Sequence, residues 1–317
     1  MEISRPIFII GVPRSGTTLL YNLMAHHKDL AWFSQYDLSK VFSKEFLHFY
    51  NLRKRLFDIR EWSYGKLDMP NYEVLFDVPI EFSQFWNRHI GQDWADEKDV
   101  DDSSKKRLRE TISQIIISKN KKRFLSKYPR NSVRIRYLNK VFPGSIFVNI
   151  VRDGRAVVAS MLNRILWNHV SYFRNNTSNV NELTFAKMDG YFGIPLKNGN
   201  QSQFNFFEKH ALQWVEVLEE INKAKNYLKP EQFFELKYED LVLDPKKWLT
   251  KIFSACGLEQ QNVFQNKIIR ALGKREMEEI SENLSSRNES WKTKFSQTEI
   301  ERLEKIMSDF LQRFEYL

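Results

Sequence analysis

The stretch PIFIIGVPRSGTTLLYNLM, residues 6–24, leaves little freedom in how this chain begins to fold. Its apolar run 7–10 is bounded by Pro6 and Gly11, which suits a strand buried on both faces of a parallel sheet. GTTLLYNLMAHH (16–27) then reads as a helix starting at the turn. Strand, glycine-containing turn and helix, in that order, form a phosphate-binding loop. Gly11 and Gly16 keep the spacing of G-x-x-x-x-G-K-[ST], but Thr17 stands where the lysine for a triphosphate belongs. A cation appears earlier instead, as Arg14. Backbone N–H groups from Ser15 to Leu19, with the helix dipole behind them, make an anion site, and Thr17 and Thr18 add hydroxyl donors.

Two further segments repeat the strand-then-helix pattern. GSIFVNIV (144–151) precedes RAVVASMLNRI, and QFFELKY (232–238) precedes EDLVLDPKKWLTKIFSAC. Three such units predict an α/β fold of the P-loop type: an open, mostly parallel sheet flanked by helices. Ligands in such sheets bind beyond the carboxyl ends of the strands, which puts Arg14, Arg152 and Tyr238 on one rim. The chain reads as a single domain, 1–317, with insertions at about 28–100 and 165–206 forming the acceptor side. Apolar faces at helical spacing predict two core helices. One carries Ala211, Leu212, Val215, Leu218, Ile221 and Ala224. The other carries Ile300, Leu303, Ile306, Met307, Phe310, Leu311 and Phe314. The basic run 103–124 reads as a solvated helix face rather than a nucleic-acid patch, since aromatic interleaving is weak there.

Hydrophobic residues at 42% support a sizeable core, and a formal charge of +9 favours an anionic partner. The single cysteine, Cys256, excludes an intramolecular disulfide and a cysteine-based zinc cluster. No run approaches the roughly 20 apolar residues of a membrane span, and the start lacks the pattern of a signal peptide. The expectation is a soluble, cytoplasmic protein. A kinase would need the absent lysine and Mg²⁺, whereas guanidinium groups clamp phosphate or sulfate without a metal. A small-molecule P-loop kinase and a non-catalytic nucleotide- or nucleic-acid-binding protein are the rival readings.

PIFIIGVPRSGTT, FVNIVRDGRAVVASMLNR and LKYEDLVLDP together resemble the sulfotransferase family that uses 3′-phosphoadenosine 5′-phosphosulfate (PAPS). In motif style the chain is most similar to tyrosylprotein sulfotransferases and soluble bacterial relatives. The resemblance implies PAPS as co-substrate, no metal, and an acceptor that is a small molecule, glycan, lipid or peptide rather than a nucleic acid. It implies that Arg14, Ser15, Gly16, Thr17 and Thr18 hold the 5′-phosphosulfate, with Arg14 contacting the transferred group. Arg152, Ser160 and Arg164 would bind the 3′-phosphate, and Tyr238 in KYEDL would contact the cofactor. Lys127 in SKYPRNS would stabilise charge developing on the bridging oxygen.

Sulfation of a hydroxyl, or of an amine, benefits from a general base. Where the tyrosylprotein enzymes place a glutamate after the loop, this chain has Gln35, which cannot take a proton. Glu81 in DVPIEFSQFW is the first choice, in a Pro-x-Glu context similar to that of soluble bacterial relatives. Asp37 is the alternative and His89 the third candidate. The Trp and Phe residues between 32 and 94 predict an apolar-walled acceptor site.

Overall fold

Ile7–Ile10 forms β1, and all four residues are buried. Phe8 and Ile10 enter one apolar cluster, Ile7 and Ile9 the other. The strand's period of two thus feeds a core on each face of the sheet. In the computed structural model, residues 3–34, 37, 79–161, 194–197, 203–261 and 289–317 are described. After β1 come α1 (Thr17–Ala25), β2 (Leu30–Ala31), α2 (Ser83–Ile90), α3 (Asp102–Ser118), β3 (Arg123–Lys127), α4 (Ile135–Val141) and β4 (Ile146–Val151). There follow α5 (Phe206–Lys225), β5 (Phe233–Lys237), α6 (Tyr238–Leu243), α7 (Pro245–Ala255), α8 (Trp291–Lys294) and α9 (Gln297–Arg313).

The five strands are parallel, in the order β2-β3-β1-β4-β5. The chain runs from β1 out to β2, back to β3 and then across to β4 on the other side of β1. The strand order thus switches at β1, and the crevice of this α/β sheet opens at its carboxyl end. Register brings the other strand ends to the same rim. Ile9 lies opposite Lys127, Ile10 opposite Asn149, and Val151 opposite Lys237.

The three apolar runs of the sequence are strands β1, β4 and β5. The other two strands, β2 and β3, escape the pattern: β3 is RFLSK, with charge at both ends, yet Ser126 and Lys127 are buried. The basic run expected to be helical to 124 ends its helix at Ser118, with Leu108, Ile112, Ile115 and Ile116 packed inward. On α5 the buried face is rotated from the expected one. Trp214 and Val217 are buried while Leu212 and Val215 are only partly so. Trp214 supplies the reason, since it offers the larger apolar surface and its Nε1 donates to the Arg152 carbonyl at 3.3 Å. On α9, Leu303, Met307, Phe310, Leu311 and Phe314 are buried as expected, with Ile300 and Ile306 packed against them.

Of the aromatics expected to wall an acceptor site, Phe33, Phe82, Phe85 and Trp86 belong to the core. Phe33 meets the other three rings at 4.8–6.3 Å. Cys256 is buried at the end of α7, and burial pushes its thiol up to about 12, so it stays protonated. Among the described residues no helix is long and apolar enough to cross a membrane.

Residues 154–161 are helical and run from the end of β4 under α5 and α9. At Gly154 a Cβ would lie 2.5 Å from Met307 Sδ and 3.0 Å from the Trp214 ring. Gly154→Ala is expected to lower the unfolding free energy by about 1–3 kcal/mol through overpacking, measured by denaturant unfolding. A neutral substitution would show that this helix is not held against Trp214.

Candidate active site

The loop after β1 is forced into shape by what surrounds it. At Gly11 (φ +148°) a Cβ would sit 2.5 Å from the Ile150 carbonyl oxygen of β4. Ser132, in the turn that follows β3, grips the same residue twice. Its Oγ accepts from the Gly11 N–H and donates to the Gly11 carbonyl, both at 2.9 Å. Arg14 and Gly16 take left-handed backbone angles (φ 74° and 92°), and the Ser15 N–H closes the turn on the Val12 carbonyl at 3.1 Å. Gly16 then starts α1 without a side-chain cap. The first-turn N–H groups of a helix have no acceptor within it, and here they face the loop. The Ser15 hydroxyl is fully buried with no hydrogen-bond partner among the described residues. A buried orphan hydroxyl beside an uncapped helix start is the donor set that an anion completes.

Across the rim from α1, Arg152 leaves the end of β4. Its guanidinium lies 4.5 Å over the Tyr238 ring and donates to the Arg14 carbonyl at 3.2 Å. Burial lowers its pKa, opposed by Tyr238, Glu239 and Asp153. It stays charged at any working pH, because a guanidinium titrates far above neutrality. Arg14 in turn donates from Nε to Ser160 Oγ at 3.1 Å. Tyr238 also fixes Gly16, where a Cβ would lie 2.3 Å from the ring. One loop arginine thus joins the residues expected at the two ends of the cofactor.

Lys127 ends β3 and is only 3% exposed. Its Nζ donates to Thr18 Oγ1 at 2.8 Å and forms a short ion pair with Glu81. Burial lowers its pKa and Arg14 lowers it further, while Glu81 opposes both. Glu81 is brought there by local pairing. Ser34 and Pro79 form an antiparallel bridge, the Ile80 N–H donates to the Phe33 carbonyl at 2.8 Å, and Tyr21 of α1 donates to the Ile80 carbonyl at 3.3 Å. Phe82 follows in a left-handed conformation (φ 46°), held by Phe33 and Phe85, and turns the chain into α2. An aromatic residue at such an angle is an outlier, and the packing that enforces it also aims Glu81.

A family model described as the sulfotransferase family matches residues 6–262, from β1 to beyond α7. The chain belongs to the sulfotransferase family. It is 25% identical over 275 residues to the omega-hydroxy-beta-dihydromenaquinone-9 sulfotransferases Stf3 of Mycobacterium bovis and Mycobacterium tuberculosis, covering 80% of this chain. The chain spans 63% of the length of these curated relatives. Among solved structures it resembles the sulfotransferase STF9 of Mycobacterium avium, with a TM-score of 0.57 at 16% identity over 99% of this chain and 77% of that one. STF1 of Mycobacterium tuberculosis follows at 0.51 and 16%, over 88% and 76%. These two likenesses describe the fold.

In this member of the family the structure gathers Arg14, Ser15, Gly16, Thr17, Thr18, Lys127, Arg152, Ser160, Tyr238 and Glu81 around one rim. Asp37 is elsewhere engaged. Its carboxylate accepts from the Ser34 N–H at 2.7 Å and the Ser34 hydroxyl at 2.8 Å and pairs with Lys119 at 3.4 Å, with only 1% exposure. His89 packs edge-on to Phe85 at 4.9 Å, and its pKa is lowered by burial and by Arg107 and Arg88. Gln35 and Arg164 lie outside the described residues. Ser132 was not singled out in the sequence, because a serine in a turn carries no pattern; only its contact with Gly11 reveals it.

Gly16→Ala is expected to cost about 2–4 kcal/mol, from left-handed strain and overlap with Tyr238. Tyr238→Leu opens that space, so the cost of Gly16→Ala falls by about 1 kcal/mol or more in the double variant. Denaturant unfolding of the four proteins reads the cycle, and strictly additive losses would refute the contact.

Proposed function

We propose that this protein moves a sulfuryl group from PAPS to a hydroxyl, or an amine, of a small-molecule, glycan, lipid or peptide acceptor. It works in the cytoplasm as a single domain, with guanidinium and ammonium groups in place of a metal. The observation that carries the reading is the buried Lys127 ammonium held between Thr18 of the phosphate loop and Glu81. A phosphate loop lacking its triphosphate lysine, with a cation supplied from the neighbouring strand end, suits a transferred group with fewer charges than a triphosphate.

PAPS, when bound, would supply the sulfuryl group, with 3′-phosphoadenosine 5′-phosphate as the leaving group. The uncapped start of α1 and the Ser15 hydroxyl hold the phosphosulfate, and Arg14 touches the group in transfer. Lys127 Nζ donates to the bridging oxygen, where negative charge grows as the bond breaks; a dry ammonium stabilises that charge better than a solvated one. Glu81 accepts the proton of the acceptor hydroxyl, being the carboxylate beside Lys127 that is open to solvent (its side chain is 44% exposed). We assign the base to Glu81 over Asp37 because Asp37 already serves Ser34 and Lys119. Arg152, Ser160 and Arg164 bind the 3′-phosphate and Tyr238 flanks it. Stf3 is named for a hydroxyl-bearing acceptor, which supports a hydroxyl here.

Calorimetric titration with 3′-phosphoadenosine 5′-phosphate in EDTA is expected to give micromolar binding, with ATP much weaker whether or not Mg²⁺ is present. Binding of Mg-ATP alone would overturn the reading in favour of a kinase. The same titration against pH tests Lys127. Charged Lys127 attracts the anion, so affinity is full while the lysine is protonated. It falls as pH rises through the depressed lysine pKa, below the usual value of 10.5. Lys127→Arg moves that fall to higher pH, and an unmoved profile would remove Lys127 from the site.

A further inference from the structure

Behind Arg152 four residues close a ring of hydrogen bonds. The Asp153 N–H donates to Glu239 Oε1 at 3.4 Å, and Tyr316 OH donates to Glu239 Oε2 at 2.8 Å. The Tyr316 carbonyl accepts from Arg155 Nη2 at 2.8 Å, and Arg155 clamps the Asp153 carboxylate through Nε and Nη2 at 2.8–3.3 Å. The ring joins the residue after Arg152 to the residue after Tyr238 and to the segment beyond α9. We infer that Tyr316 is a positioning residue, which holds Glu239 in place beside Arg152 and so sets how strongly that guanidinium binds the 3′-phosphate. The inference rests on the PAPS reading and extends it to a residue that touches no ligand.

The charges decide the argument. Arg155 is neutralised twice, by Asp153 and by Glu304 of α9, and it also lies 4.1 Å over Trp291. Glu239, bonded to the N–H of the residue after Arg152, is close enough to raise that arginine's pKa. A carboxylate beside a phosphate-binding arginine competes with the phosphate for the same donors. Its bond to the Asp153 N–H is long, at 3.4 Å, whereas the phenol holds it at 2.8 Å; of these two bonds the shorter is the stronger restraint. Tyr316 is suited to that task. Burial and the neighbouring carboxylates raise its pKa, so it remains a donor at working pH. Its ring lies 5.2 Å from Lys237 Nζ, and Lys237 pairs with Glu315 at 3.2 Å. Tyr316→Phe keeps the ring and the carbonyl that Arg155 uses, and removes the hydroxyl alone.

Wild type, Tyr316→Phe, Arg152→Ala and the double variant would be titrated with 3′-phosphoadenosine 5′-phosphate and with adenosine 5′-phosphate, which lacks the 3′-phosphate. Tyr316→Phe is expected to weaken the bisphosphate by roughly five- to tenfold, the worth of one hydrogen bond to a charged group. The monophosphate is unaffected, and the loss disappears in the Arg152→Ala background. Adding Glu239→Gln to Tyr316→Phe restores most of the affinity, since an amide that swings toward Arg152 no longer competes with phosphate; this arm also serves if Tyr316→Phe alone folds poorly. A wild type that prefers the bisphosphate beside an unchanged Tyr316→Phe would overturn the inference alone. Equal loss for both ligands, or a loss that persists without Arg152, would do the same. A wild type that binds the two ligands alike would overturn the PAPS reading and this inference with it.

Discussion

The phosphate loop passes so close to its neighbours that two of its residues have no room for a side chain. Gly11 abuts the Ile150 carbonyl of β4, and Gly16 abuts the Tyr238 ring at the end of β5. These contacts tie the loop to both strands on one side of the sheet, while Ser132 ties it to the turn after β3 on the other. A loop pinned on both flanks loses little conformational freedom when an anion arrives, so more of the contact energy appears as affinity. The left-handed angles at Arg14 and Gly16 are the cost of that close fit, and the surrounding packing sustains them.

Charge is arranged around the pinned loop with similar economy. An ammonium as buried as Lys127 is expensive unless it is paired and hydrogen-bonded. Glu81 and Thr18 provide that pairing without covering the loop itself. Arg152 and Arg155, three residues apart, receive opposite treatment. Arg155 is saturated by two carboxylates and a carbonyl, with a tryptophan ring beneath it. Arg152 lies over the Tyr238 ring and donates to the Arg14 carbonyl, contacts that offset part of its desolvation. Arg155 ties the helix after β4 to α9, and Arg152 ties the end of β4 to the phosphate loop.

Much of this was legible in the sequence, and the remainder was hidden for identifiable reasons. β1, β4 and β5 announce themselves because strands covered on both faces must be apolar throughout. β3 does not, since RFLSK spends its last position on Lys127 and its first on Arg123, which donates to backbone carbonyls including that of Cys256. The site interrupts the pattern that would reveal the strand. Trp214 turns α5 away from the face its leucine and valine spacing suggests, because hydrogen bonding by the indole outweighs periodicity. Glu81 was singled out in the sequence by its Pro-x-Glu context. Its closeness to Lys127 was not, since that depends on the bridge between Ser34 and Pro79 across residues distant in sequence. The aromatic residues around it looked like an acceptor wall, yet Phe33, Phe82, Phe85 and Trp86 make core; aromatic content alone does not separate a lined pocket from a packed interior.

Lys127 and Glu81 touch each other but are held by different parts of the fold, and that division bears on the proposed chemistry. Lys127 is fixed by sheet register opposite Ile9, and its side chain is 3% exposed against 44% for Glu81. A group that stabilises charge on a leaving oxygen gains from being dry and immobile. A group that takes a proton from an incoming acceptor must meet that acceptor where it arrives. Glu81 rests on a one-residue bridge, a single backbone bond from Ile80 and the left-handed turn at Phe82, none of which belongs to the sheet. Under the proposed chemistry each group is thus placed by its own part of the fold, the ammonium by strand register and the carboxylate by the turn at residues 79–82. The ion pair between them is where the two parts meet.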